Sequence, residues 1–192
     1  MSYNFFAYLS RMRYIQRWAL MRNTFQENIQ EHSHQVAVLA HALAVIGKEK
    51  YDSTVDPNEA AVAGLYHAAS EILTGDLPTP VKYDYPAIKD AYKAVERVAA
   101  EKLLSMLPDE LTPAFEPYVK EELEPGLMAM VKAADKLAAH IKCLEELRAG
   151  NSEFKLAARQ TRAALDAMEL PELDYFMKYF LPAFELTLDE LG

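Results

Sequence analysis

The sequence predicts an all-α chain, on three observations. Apolar residues recur at spacings of three and four along nearly all of the 192 residues, the period of a helix with one buried face. No alternation of period two lasts long enough to build a sheet. Glycine is sparse, at 6, while apolar residues make up 51%, a composition that is globular and helical rather than disordered or fibrous. A chain of this length fits one domain with a substantial core. Residues 1–192 are therefore expected to form a single domain of roughly seven helices.

The elements run in order from the N-terminus. The opening MSYNFFAYLSRMR is apolar but lacks a sustained hydrophobic region and a small-residue cleavage site, so residues 4–15 read as a helix of the fold and not as a signal peptide. Residues 31–47 form the second helix, with Gly47 as its C′ residue. The third spans 57–74, where Asp56 is the N-cap and Pro57 the first helical residue. The fourth, 85–106, is stopped by Pro108. DELTPAFEPYVKEELEP then holds a short helix within an excursion. Helices at 126–149, ended by Gly150, at 153–168 and at 170–188 complete the chain.

Composition excludes several functions. The formal net charge of −9 opposes binding of a nucleic-acid polymer, which needs a broad basic face. The longest nearly apolar run, residues 36–46, is about half of the ~20 residues a bilayer span requires, and His41 interrupts it. A lone cysteine, Cys143, excludes an internal disulfide and fits a reducing cytoplasm. Charge is unevenly spread: Arg11, Arg13, Arg17 and Arg22 precede the first acidic residue, Glu27. These arginines could meet a small anion, or simply dock on acidic neighbours.

The informative residues are polar ones on apolar faces. His67 and Glu71 stand four apart, which on a helix puts them on one face. There they could bind a metal or position a water against one. His32 is followed by Val36, Leu39, Ala40 and Leu43 at inward spacing. Asp135, with Val131 four before it and Ala138 three after it, borders the buried stripe of its helix. A carboxylate there must be paired, bound to a cation or facing a cleft, and Lys132 and Lys136 offer a plain salt bridge. In the loop TGDLPTP, a glycine ends a helix and two prolines stiffen the chain beyond it, so Asp76 and Thr79 could be presented to a ligand. Singly, each of these has a structural explanation, and His34, His41 and His140 keep theirs. Together, His32, His67, Glu71, Asp76 and Asp135 could converge, as inward ligands do in helical bundles.

The segments FFAYLSRM, RWALMRN, ENIQEHS, YHAASEILTGDLPTPVK, VKAADKLAAHIKCLEEL, DYFMKYFLPAF and LTLDEL together resemble the bacterial HD-domain 5′-deoxynucleotidases (YfbR-like) of the HD phosphohydrolase superfamily. The resemblance covers almost the whole chain. It implies an all-α cytoplasmic homodimer that hydrolyses deoxynucleoside 5′-monophosphates with a divalent metal: cobalt, manganese or magnesium. It makes His32, His67 and Asp135 metal ligands and gives Glu71 the attacking water. Asp76 would stand near the leaving 5′ oxygen as a proton donor. Arg17 would bind phosphate, Trp18 would pack on the deoxyribose where a 2′-hydroxyl would crowd it, and Thr79 and Lys82 are further ligand contacts.

The chain departs from that pattern at Ala68, where the family reads a metal-ligating Asp. A methyl group coordinates nothing, so metal binding and turnover are expected to be impaired, while alanine keeps the helix intact. The change is either engineered, to hold substrate without turnover, or a natural loss, and the survival of the other site residues favours engineering. Glu71 or a water could also fill the position. The rival functions are a catalytically silent nucleotide-binding module and an HD phosphohydrolase acting on triphosphates.

Overall fold

A computed structural model describes residues 2–78 and 86–192. Its helices are α1 (Phe5–Leu9), α2 (Ile29–Tyr51), α3 (Pro57–Tyr66), α4 (Glu71–Thr74), α5 (Pro86–Leu104), α6 (Thr112–Val119), α7 (Pro125–Arg148), α8 (Lys155–Asp166) and α9 (Pro171–Tyr179). Among the described residues there is no strand, and one antiparallel bridge pairs Gln16 with Asn28. The all-α expectation holds.

Several boundaries obey the predicted chemistry. The Asp56 carboxylate accepts the Asn58 N–H at 2.9 Å, capping α3 as expected. At the end of α7, Gly150 takes φ 84°. Its N–H reaches the Leu147 carbonyl at 3.0 Å and the Asn151 N–H reaches Glu146 at 2.9 Å, the paired bonds of a Schellman motif. The excursion does hold a short helix, α6.

Others differ. Helix α2 runs through Gly47 to Tyr51, and the left-handed residue that ends it is Asp52, at φ 55°; a short acidic side chain tolerates that conformation. Gly47 instead lies close to Ser53: a Cβ there would stand 3.0 Å from the serine Cβ. The first helix tightens to a 3-10 turn over Ser10–Tyr14. The last stops at Tyr179 before a 3-10 segment at Leu181–Glu185, where Pro182 has no N–H to continue an α-helical ladder.

The expected helix over 57–74 is broken. α3 ends at Tyr66, and the next residues wind by bonds of three: the Ala69 N–H to Tyr66, Glu71 to Ala68 and Ile72 to Ala69. No breaker signals this. Adjacent alanines are drawn into two separate apolar clusters, Ala69 with Phe5 and Leu103, Ala68 with Met12 and Ile29. About three residues per turn is not the 3.6-residue period that sets positions four apart on one face.

The chain comprises two compact units. The first contains Met1–Met21, Gln26–His34 and Leu65–Leu123. Its core joins Phe5, Leu103, Leu104, Leu107 and Val119, with Phe115 set edge-on to Phe5 at 5.4 Å between ring centroids. The second contains Arg22–Phe25, Gln35–Gly64 and Glu124–Gly192. There α7 packs on α8, and Gly64 of α3 meets α2 so closely that a Cβ would lie 2.6 Å from the Ala37 Cα. Buried Lys142 and Glu146, one turn apart on α7, pair at 2.5 Å. The Lys142 ammonium also donates to the Phe25 carbonyl at 2.7 Å and lies 3.4 Å from that ring's centre, while Glu146 accepts the Thr24 N–H. These bonds fasten the segment Arg22–Phe25 to α7.

Candidate active site

The start of α2 is built by a capping box. The Asn28 side chain accepts the N–H groups of Gln30 and Glu31, each at 3.0 Å, and the Glu31 carboxylate accepts the Asn28 N–H at 3.2 Å. That fixes the first turn, from which His32 points inward with 1% of its surface exposed. His67 comes just after the end of α3. The two rings lie 5.1 Å apart between centroids, with Nε2 facing Nε2 at 3.3 Å.

That spacing fits a shared cation: two nitrogens each about 2.05 Å from one tetrahedral zinc-like ion stand about 3.3 Å apart. Within the first unit, His32 and His67 thus offer two nitrogens able to share a metal ion, and in the second unit Asp135 is half-buried on α7. A pair of imidazoles suits a divalent transition ion.

Ala68, between His67 and the rest of the turn, is 3% exposed and lies in the apolar cluster of Met12 and Ile29. Glu71 opens α4, half-buried. Asp76 is half-buried just after Gly75, whose angles of φ 76° and ψ 161° are nearly confined to glycine. The Tyr92 hydroxyl of α5 secures that turn, donating to the Gly75 carbonyl at 2.9 Å and pairing with the Thr74 hydroxyl at 3.1 Å. Thr79 and Lys82 lie outside the described residues.

Arg17 and Trp18 converge on Glu27. The Arg17 Nε and the Trp18 Nε1 both donate to one oxygen, Oε2, each at 3.0 Å. Trp18 has a left-handed backbone, φ 58°. Sequence reasoning misses Glu27 and Tyr92. Glu27 stands ten residues from Arg17, with no local periodicity linking them, and Tyr92 sits among the apolar residues of an ordinary helix.

His34 and His41 are exposed. His140 is buried, with Nδ1 at 2.9 Å from the Thr161 hydroxyl. Burial, then the positive charge of Arg162, hold its pKa below the ordinary value.

A model of the 5′-deoxynucleotidase YfbR-like family matches residues 4–184. A 5′-deoxynucleotidase from Vibrio atlanticus is 50% identical over 98% of each chain. Among solved structures, an HD-domain phosphohydrolase from Listeria innocua superposes with a TM-score of 0.83 at 22% identity, covering 94% of this chain and 88% of its own. The cyanophage S-2L HD phosphohydrolase bound to dA and one catalytic Zn2+ ion superposes with a TM-score of 0.64 at 21% identity, covering 94% and 96%. At these identities the two structures speak for the fold alone.

Proposed function

The chain belongs to the YfbR-like 5′-deoxynucleotidase family, and from that premise we propose that it is a phosphomonoesterase scaffold converting a deoxynucleoside 5′-monophosphate and water into a deoxynucleoside and phosphate. The observation that carries the reading is the Nε2 to Nε2 approach of His32 and His67 at 3.3 Å.

His32, His67 and Asp135 are the residues that would hold the metal. A divalent cation bound there supplies Lewis acidity toward water and a phosphoryl oxygen. Glu71 orients the attacking water and takes its proton as the new P–O bond forms. Asp76 gives a proton to the 5′ oxygen as the old P–O bond breaks. The Arg17 guanidinium binds phosphate, a geometry to which its planar fork is suited, and Trp18 packs on the deoxyribose. Thr79 and Lys82 are proposed as further ligand contacts.

The working unit is proposed to be residues 1–192 as one HD-type domain, assembled as a cytoplasmic homodimer and using cobalt, manganese or magnesium. No helix among the described residues is long and apolar enough to cross a membrane.

Ala68 favours a second reading, in which the chain binds nucleotide without turnover. Its methyl group sits where the family motif supplies a carboxylate, inside an apolar cluster. Product analysis separates the readings. Slow release of inorganic phosphate from a deoxynucleoside monophosphate supports the impaired enzyme. Binding with no product supports the silent module, and triphosphate released from a nucleoside triphosphate would overturn both.

A further inference from the structure

We infer that Glu27 is a positioning residue that sets Arg17 and Trp18 as one unit, so that phosphate binding and discrimination of deoxyribose from ribose depend on it together. This rests on the proposed roles of Arg17 and Trp18. One carboxylate oxygen serves both donors, at 3.0 Å each, and Glu27 is only 8% exposed. A buried, charge-assisted bond to Nε restrains the guanidinium plane, and so the direction in which its planar fork can meet a phosphate. The indole bond acts on a residue that needs holding, since bulky side chains rarely adopt a left-handed backbone such as the φ of 58° at Trp18.

Glu27 is itself fixed through the main chain. The Arg17 N–H donates to its carbonyl at 2.9 Å, and beyond the Gln16–Asn28 bridge the Ile29 N–H donates to Ile15 at 3.0 Å. The carboxylate thus has a rigid base, and the two residues it aligns are adjacent in sequence but chemically different. A loss at Glu27 would loosen the cation and the ring at once.

Trp18 is the chain's only tryptophan, so its emission reports this site alone. The test is to titrate the parent chain, Glu27→Gln and Glu27→Ala with dAMP and with AMP, following that emission with a divalent ion present. Circular dichroism and thermal unfolding verify that each variant is folded, and the near-isosteric Glu27→Gln guards against collapse of the alanine variant. Both variants are expected to bind dAMP ~10-fold or more weakly, to lose most of the preference for dAMP over AMP, and to expose Trp18 to acrylamide quenching. Folded variants that keep the parental preference would overturn the inference while leaving the 5′-deoxynucleotidase reading intact. A parent chain that binds neither nucleotide would overturn that reading, and the inference with it.

Discussion

His32 and His67 bring their Nε2 atoms to 3.3 Å from one another, although they stand 35 positions apart and on different elements. A neutral imidazole can leave Nε2 without a proton and ready to ligate, and on the proposed function this pair would supply two nitrogens to the metal. On the same proposal, Ala68, next to His67, is the position whose substitution tests it.

The turn carrying Asp76 depends on Gly75. Its conformation has no room for an L side chain's backbone preferences, although no atom would touch an added Cβ within 4 Å. Gly75→Ala is expected to cost about 1–3 kcal/mol through backbone strain alone, read as a drop in unfolding free energy. It should also move Asp76 and weaken nucleotide binding. Tyr92→Phe, which removes the hydroxyl from the Gly75 carbonyl, is expected to reproduce the binding loss with a smaller cost, about 1 kcal/mol.

Gly64→Ala tests the close approach of α3 to α2. The new Cβ would meet the Ala37 Cα at 2.6 Å and its nitrogen at 2.8 Å, both backbone atoms that cannot swing aside. Overpacking of this kind is expected to cost about 1–3 kcal/mol or more, seen as a lower midpoint in urea with little change in slope.

Glu146 makes stability pH-dependent. Burial alone would raise its pKa, but hydrogen bonds from Lys142, Asn151 and Thr24 outweigh burial and bring it from 4.5 to about 2. The unfolded chain therefore takes up this proton more readily than the folded one. The contribution is fully present above pH 4.5 and is lost as pH falls toward 2. It amounts to on the order of 3 kcal/mol. Glu146→Gln should flatten that part of the stability profile. It should also cost about 3–5 kcal/mol near neutrality, because the Lys142 charge stays buried without its carboxylate. An unchanged acid limb in urea titrations would contradict the assignment.

Much of this is legible in the sequence, for reasons that differ by residue. His32 can be placed inward because four apolar neighbours share its face, and the caps at Asp56 and Gly150 are legible because capping is local chemistry. Gly47 misleads because the residue that ends α2, Asp52, is a less usual left-handed stop. The tightening at Ala68 and Ala69 is hidden, since two alanines satisfy a helix and it is packing against Met12 and Phe5 that bends the path. Glu27 and the Lys142–Glu146 pair look like solvated charges in one dimension. Only the fold reveals that Glu27 is buried against Arg17 and Trp18, and that the Lys142–Glu146 pair is buried against the distant Phe25 and Thr24.

The most direct measurement compares phosphate release from deoxynucleoside 5′-monophosphates by this chain and by Ala68→Asp, with cobalt, manganese or magnesium added, alongside metal binding by calorimetry. The new carboxylate would enter the apolar surroundings of Met12 and Ile29, so without metal the variant should be less stable by about 2 kcal/mol, recovered when the ion binds. Ala68→Asp is expected to bind metal more tightly and to release phosphate at least ~100-fold faster, and His67→Ala in that background should abolish both. Metal bound by Ala68→Asp with no phosphate released from any deoxynucleotide would contradict the assignment of this site to 5′-deoxynucleotidase chemistry.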